Sequence, residues 1–167
     1  MSPPVSVVCR TAEFDKSGTY RYSLGRGLSS GEGRVVFVML NPSIADGNQD
    51  DATIRRCLGF AETWGFRELV AVNLFGFRAT NPDVLNHAED PIGPRNDEIL
   101  VTAVRQASQV VVGWGDRGRM MNRDIAVLRM LEDLVIVPYA LGLTASGAPR
   151  HPLYARKDSP RCIVAIP

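Results

Sequence analysis

The sequence has few of the residues that build metal centres or disulfide frameworks. Its three cysteines, Cys9, Cys57 and Cys162, are widely separated, which fits neither disulfide pairing nor zinc-ligand spacing. We expect all three to be small hydrophobic residues. Because His87 and His151 are the only histidines, we expect no metal site, and no cofactor is implied.

Long apolar runs and a strong charge of either sign are also missing. No run approaches the roughly 20 residues of a membrane-spanning helix, and residues 1–4 lack the features of a signal peptide. The expected location is therefore the cytoplasm, without a membrane partner. The formal net charge of +1 provides no overall attraction to nucleic acid, so phosphate binding would need a local patch. The sequence leaves the oligomeric state undetermined.

The clearest element is the apolar run at residues 35–40, which stops at Asn41-Pro42-Ser43. An unbroken run of β-branched and aromatic residues indicates a strand buried on both faces, which is typical of parallel sheets. Pro42 cannot donate a ladder hydrogen bond and holds Asn41 in extended backbone, so the strand ends there. In such sheets ligands bind at the carboxyl ends of the strands.

The remaining pattern predicts alternating strands and helices within one domain over residues 1–167. The first thirty residues form a hairpin extension at the sheet edge, and a final edge strand is expected at 161–166. Further core strands are predicted at 69–74, 109–115 and 135–137, and helices at 52–64, 96–106 and 122–133. We expect Asp51 to cap the first helix, and Asn96 or Asp97 the second. This order predicts a three-layer α/β/α sandwich with a mainly parallel, four-stranded core sheet.

Four polar or aromatic groups follow four different predicted strands: Asn41, Asn73, Trp114 and His151. The carboxyl ends of parallel strands meet at one edge of a sheet, so we expect these four side chains to share a site. Each also has a structural interpretation. Asn41 could cap a turn, Asn73 could tie loops together, Trp114 could belong to the core and His151 could anchor a loop.

Read together, these positions resemble the uracil-DNA glycosylase superfamily, particularly its mismatch-specific branch. The similar segments are 40–42 (Leu-Asn-Pro), 72–74 (Val-Asn-Leu), 112–115 (Val-Gly-Trp-Gly) and 151–152 (His-Pro). The resemblance implies a glycosylase-like fold and hydrolysis of an N-glycosidic bond. By the same resemblance, Asn41 would position a water, Asn73 would bind the base edge and His151 would donate to the base oxygen.

A more specific resemblance, nearly full length, is to the bacterial domain-of-unknown-function family numbered 1643. It is carried by residues 39–43, 50–56, 73–75, 90–97 and 149–154. This family implies no reaction. The leading hypothesis is therefore an enzyme that binds or processes a nucleobase, nucleotide or nucleic acid.

The loop after the first core strand departs from the glycosylase pattern. Glycosylases that activate water with a carboxylate place it beside the proline, where this chain has Asn41 and Ser43. Asp46 or Asp51 could instead act as the base, although Asp51 could equally be only a helix cap. The predicted catalytic residues are Asn41, Asp46, Asp51 and His151. The predicted substrate-binding residues are Pro42, Ser43, Arg55, Arg56, Asn73, Arg78, Trp114, Arg150 and Pro152.

Two alternative functions use the same loop. In a non-catalytic module, Arg55, Arg56 and Arg78 would anchor a nucleotide or phosphate ligand, although Arg55 and Arg56 could equally lie on a solvated face. In a magnesium-assisted phosphotransfer or hydrolysis site, the acidic residues of the loop would supply oxygen ligands. These are Asp46, Asp50 and Asp51.

Nucleic acid binding would need a separate surface. Extruding a paired base costs a few kcal/mol, which phosphate contacts and an inserted side chain would offset. The candidates in the sequence are Arg150, Leu153, Tyr154, Arg156 and Lys157. A free nucleotide or nucleoside fits the sequence as well as DNA does.

Overall fold

The computed structural model describes residues 6–167, so the first five residues of the predicted hairpin extension lie outside the described part. The strands are β1 (Val7–Phe14), β2 (Arg21–Leu28), β3 (Arg34–Met39), β4 (Glu68–Asn73), β5 (Gln109–Val112), β6 (Pro138–Ala140) and β7 (Cys162–Ile163). The α-helices are α1 (Ala52–Thr63), α2 (Asn96–Arg105) and α3 (Arg123–Asp133). Short 3₁₀ segments lie at Pro82–Asn86, Asp116–Asn122 and Pro152–Tyr154.

These strands form one mixed sheet in the order β1-β2-β4-β3-β5-β6-β7. β3 runs parallel to β4 and β5, and β5 runs parallel to β6. The pairs β1/β2, β2/β4 and β6/β7 are antiparallel, so half of the pairings between these strands are antiparallel. The predicted glycosylase-like sandwich around a mainly parallel, four-stranded sheet is therefore wrong. The fold is α/β with a seven-stranded mixed sheet.

The strand β2 explains much of this difference. Its Tyr22, Leu24 and Leu28 are buried, and the strand pairs directly with β4. Gly25 and Gly27 interrupt the apolar pattern, so the sequence reads as a hairpin appended to the sheet. They are glycines because β1 passes close by, and a side chain at Gly25 would collide with Thr11. β2 is consequently an inner strand of the sheet.

Helices cover both faces of β3, which is why its apolar run is unbroken. Phe37 shares a core with Ile54 and Phe60 of α1. Val38, which points to the other face, shares a core with Leu100 of α2 and with α3. Among the described residues, no helix combines the length and the apolar character that crossing a membrane requires.

The predicted start of α1 is confirmed. Asp51 is its N-cap, and the Asp51 Oδ1 atom accepts a hydrogen bond of 2.8 Å from the backbone N–H of Ile54. This bond satisfies one of the N–H groups that have no partner within the first turn of a helix. The helix continues to Thr63, close to its predicted end.

Two other boundaries differ from the predictions. α2 begins at Asn96, but the Asn96 side chain does not cap the helix; its Nδ2 donates to the backbone oxygens of Asn73 and Leu74. The predicted strand at 135–137 is displaced to β6, because Val135 has a φ of 57° that no strand accommodates. A long-range contact explains the first difference, and the turn that ends α3, in which the Ile136 N–H donates to the Leu131 oxygen, explains the second.

The cysteine prediction is correct only for Cys57, which lies on the buried face of α1. Cys9 and Cys162 are exposed. Both lie on outer strands of the sheet, β1 and β7, where side chains that face away from the core remain in solvent. All three are free thiols.

A buried arginine fixes the segment between β3 and α1. The side chain of Arg26 is fully buried, and its Nε donates to Asp50 Oδ1 at 2.8 Å. Its Nη2 atom donates to the backbone oxygens of Asp46 at 2.6 Å and Gln49 at 3.3 Å. Arg21, also buried, donates to the backbone oxygen of Ala45 at 2.8 Å. Two strand residues therefore hold a segment that has no regular secondary structure of its own.

Replacing Arg26 by Met should destabilise the fold by roughly 3 to 5 kcal/mol, because Asp50 loses its buried partner and several backbone oxygens lose their donor. Urea denaturation at neutral pH measures this change. Arg55→Met is the matched control, since Arg55 is exposed and the one side-chain hydrogen bond it makes within residues 6–167 goes to the backbone oxygen of Asp50. Equal unfolding free energies for the two variants would contradict the structural role of Arg26.

Candidate functional site

A cavity with a volume of about 710 Å³ lies at the carboxyl ends of β3 and β5. Its walls come from the β3 exit, the first turn of α1 and the loops that follow β4, β5 and β6. Ligand sites in open α/β sheets occupy this edge. The volume is within the range of pockets that bind small organic ligands.

Asn41 forms the wall at the β3 exit. Its Nδ2 donates to the backbone oxygens of Ala79 at 2.7 Å and Pro42 at 3.1 Å. The Ala79 N–H in turn donates to the Pro42 oxygen, so the amide joins two loops. Within residues 6–167 the Oδ1 atom of Asn41 has no hydrogen-bond donor. Nδ2 therefore stabilises the turn, and Oδ1 is available to accept a hydrogen bond.

Asp51 forms the adjacent wall together with Ala52 and Thr53. One carboxylate oxygen caps α1, as described above. The other oxygen has no hydrogen-bond partner within the described part of the chain. Capping and a role in the cavity use different oxygens, so they are compatible. The dipole of α1 stabilises an anion at this position.

His151 lies on a third wall, at the start of the 3₁₀ segment Pro152–Tyr154. Its Nδ1 accepts a hydrogen bond of 3.2 Å from the Leu153 backbone N–H, which places the single proton of the neutral ring on Nε2. Burial lowers the pKa of His151 to about 4, and the nearby Asp51 carboxylate opposes this decrease. At neutral pH the imidazole is therefore an uncharged donor.

The cavity contains six of the predicted site residues: Asn41, Ser43, Asp51, Trp114, Arg150 and His151. Trp114 is 2% exposed and packs against Gly118, so most of its ring belongs to the core. Leu153 and Tyr154, predicted for duplex contact, also line the cavity. Of the four residues predicted to share a site, the cavity therefore contains Asn41, Trp114 and His151, from the β3, β5 and β6 exits, but not Asn73 from the β4 exit.

Seven predicted site residues do not line this cavity: Pro42, Asp46, Arg55, Arg56, Asn73, Arg78 and Pro152. Asn73 is 1% exposed, and its Nδ2 is buried without a partner within residues 6–167. Arg78 donates to the backbone oxygen of Gly18 and stacks over Phe14. Pro152 is buried against Gly113.

The three carboxylates of the acidic loop have separate partners. Asp46 Oδ1 accepts from the backbone N–H groups of Asn48 and Gln49, which lower the pKa of Asp46. Asp50 pairs with Arg26, and Asp51 caps α1. Residues 6–167 contain no group of three or more His, Cys, Asp or Glu side chains that could together hold a metal ion. The loop therefore does not bring these carboxylates to a common centre.

Sequence reasoning missed several cavity residues, namely Ala79, Thr80, Pro82, Asp116, Arg117 and Thr144. All six lie in loops that follow β4, β5 or β6, and polar groups are predicted at the exits of these strands. Their position in these loops was the available signal. Asp116 accepts hydrogen bonds from the Thr144 and Ser146 hydroxyls at 2.6 Å and 2.5 Å, which join two of the cavity loops.

Because the His151 imidazole is buried, we expect the free energy of unfolding to depend on pH, and we expect His151→Asn to weaken this dependence. Below the ordinary pKa of 6.5 the unfolded chain takes up a proton that folded His151 does not bind until about pH 4. The wild-type unfolding free energy should therefore fall as the pH decreases through this interval. Asn retains an acceptor for the Leu153 N–H, so the 3₁₀ segment keeps its cap.

Urea unfolding of both proteins at about pH 7.5 and about pH 4.5 tests this linkage. The wild type should lose more stability than the variant over this interval, by up to roughly 3 kcal/mol. Other titrating groups are common to the two proteins and cancel in the comparison. Equal losses would show that His151 titrates at its ordinary pKa.

A family model matches residues 21–153, which is most of the chain. No curated protein and no solved structure matches the chain. These comparisons confirm the predicted domain-of-unknown-function family, but they do not confirm the resemblance to uracil-DNA glycosylases. The matched region extends from β2 to the start of the 3₁₀ segment that His151 caps. The chain belongs to the family described as protein of unknown function DUF1643.

Proposed function

We propose that the cavity binds the base of a nucleotide or nucleic acid ligand and that the protein hydrolyses the N-glycosidic bond between this base and its sugar. One observation carries the proposal. Asp51, Asn41 and His151 line one cavity, and each has an unused hydrogen-bonding group: a carboxylate oxygen of Asp51, Oδ1 of Asn41 and the Nε2–H of neutral His151. Hydrolysis of such a bond needs an activated water and a donor for the departing base.

Asp51 is the proposed general base. Its unpartnered oxygen would take a proton from a water that Asn41 Oδ1 holds through the second water hydrogen. The water oxygen forms a bond to the anomeric carbon as the bond from this carbon to the base nitrogen breaks. The electron pair of that bond leaves with the base. Asp46 is not used in this proposal, because it does not line the cavity.

His151 is the proposed donor to the departing base. A neutral imidazole with its proton on Nε2 can donate a hydrogen bond to a base oxygen or nitrogen as negative charge develops there. The hydrogen bond from Leu153 fixes the ring orientation. Because the ring stays neutral at pH 7, it stabilises this charge as a hydrogen-bond donor and not as a cation.

Asp51→Asn should reduce the rate of base release by about 100-fold or more, because it removes the base while the Asn Oδ1 still caps α1. His151→Asn should reduce the rate of base release by a similar factor, about 100-fold to 1,000-fold, which is the typical effect of removing a donor aimed at developing charge. The assay incubates excess protein with ribonucleosides, nucleotides and single- or double-stranded oligonucleotides that contain uracil, mispairs or modified bases. Free base is quantified by liquid chromatography.

Asp133→Asn is the control, since Asp133 is exposed at the end of α3 and is not among the cavity residues. Thermal melting of each variant confirms folding. Parallel reactions with magnesium or EDTA separate a metal-assisted reaction from the proposed one. Ligand binding without release of base, at high protein excess, would favour the non-catalytic binding module and refute the hydrolase.

A further inference from the structure

The loop wall of the cavity contains a carboxylate that is held through only one of its oxygens. Asp116 begins the 3₁₀ segment after β5 and lines the cavity. Its Oδ1 accepts from Ser146 at 2.5 Å and Thr144 at 2.6 Å. No hydrogen-bond donor in residues 6–167 contacts Oδ2. The hydroxyl pair fixes the orientation of the carboxylate and leaves one acceptor for a ligand.

The nearby cations are already engaged and do not compete for this oxygen. Arg117 pairs with Asp83, and Arg119 donates to the backbone oxygen of Ser146. Arg150 donates to the backbone oxygen of Leu143 at 2.9 Å. The hydrogen bond from Ser146, followed by that from Thr144, lowers the pKa of Asp116, so the carboxylate is ionised at neutral pH. An ionised carboxylate accepts hydrogen bonds and donates none.

We propose that Asp116 is a specificity residue that binds the hydroxyl groups of a ribose, so that the ligand is a ribonucleoside or ribonucleotide in preference to its 2′-deoxy form. This inference rests on the proposed function. If the base lies beside His151 and the anomeric carbon beside Asp51, the sugar is the part of the ligand that continues toward the remaining wall. Carboxylates recognise ribose hydroxyls in this manner in dinucleotide-binding folds.

The alternative source of a donor is an amino group of the base. An amino group and a sugar hydroxyl both offer the N–H or O–H that Asp116 Oδ2 requires. The two sources differ in what abolishes binding: removal of the 2′-hydroxyl in one case, and removal of the exocyclic amine in the other. The experiment therefore compares both changes.

Isothermal titration calorimetry with catalytically impaired Asp51→Asn protein measures binding of AMP, GMP, CMP and UMP and of their 2′-deoxy forms. The variant Asp51→Asn,Asp116→Asn retains an oxygen for the Thr144 and Ser146 hydroxyls but replaces the free acceptor by an N–H donor. The matched control is Asp51→Asn,Asp158→Asn, because Asp158 is exposed and pairs with Arg156 outside the cavity. Thermal melting checks that each protein is folded.

At least one ribonucleotide should bind about tenfold more tightly than its 2′-deoxy form, and this ratio should fall to about one when Asp116 is replaced. The Asp158 control should keep the ratio. Binding with no ribose preference, or a preference that survives Asp116→Asn, would overturn this inference and leave the proposed function intact. A preference for CMP over UMP that Asp116→Asn abolishes would assign Asp116 to the base amine and overturn the ribose assignment. Absence of binding by all eight nucleotides would overturn this inference, whereas the base-release assay with oligonucleotides tests the proposed function separately.

Discussion

The hydrogen bonds of the buried Arg26 guanidinium are the interaction on which the cavity depends. They hold the segment between β3 and α1, and the two ends of this segment carry Asn41 and Asp51. A lysine could not replace this arginine, because the planar guanidinium reaches a carboxylate and two backbone oxygens in fixed directions. Arg21 adds a contact to Ala45. Burial lowers the pKa of Arg21 to about 10, so it is still a cation at neutral pH.

The position of β3 in the sheet explains why groups from distant parts of the sequence meet. β3 lies between β4 and β5, and the chain beyond each neighbour remains hydrogen-bonded to it. The N–H groups of Leu74 and Phe75 donate to the oxygens of Met39 and Leu40, and the Gly113 N–H donates to the Val38 oxygen. These bonds extend the ladder past the ends of the strands. Backbone hydrogen bonds therefore hold the strand exits in position independently of the side chains that line the cavity.

The parts of the fold that the sequence predicts are those with short-range signals. The apolar run of β3 and the Asp51 cap of α1 are examples, because burial on both faces and capping are legible within a few residues. The mixed sheet was not predictable in this way. Antiparallel pairing of β2 with β4 depends on contacts between segments more than 40 residues apart. In addition, the glycines of β2 interrupt the apolar pattern that would identify it as an inner strand.

The same distinction applies to the cavity. Asn41, Asp51 and His151 were identifiable because each adjoins a proline or a helix start, which marks the end of a strand or loop. Asn73 does not line the cavity: it is buried at the end of β4, where the Asn96 amide donates to its backbone oxygen. Thr144 and Asp116 were missed because only the folded chain brings these two loops together.

The environments of Asp51 and His151 give the cavity two groups of opposite hydrogen-bonding character. The α1 dipole stabilises negative charge at Asp51, whereas burial keeps His151 neutral. The free Asp51 oxygen therefore offers an acceptor, and the neutral His151 ring offers a donor. In the proposed reaction the two groups have different partners: Asp51 accepts a hydrogen bond from the water, and His151 donates to an oxygen or nitrogen of the base. A base joined to a sugar supplies both the acceptor for His151 and the bond that the water attacks, which is why we favour it over a carboxylate ligand.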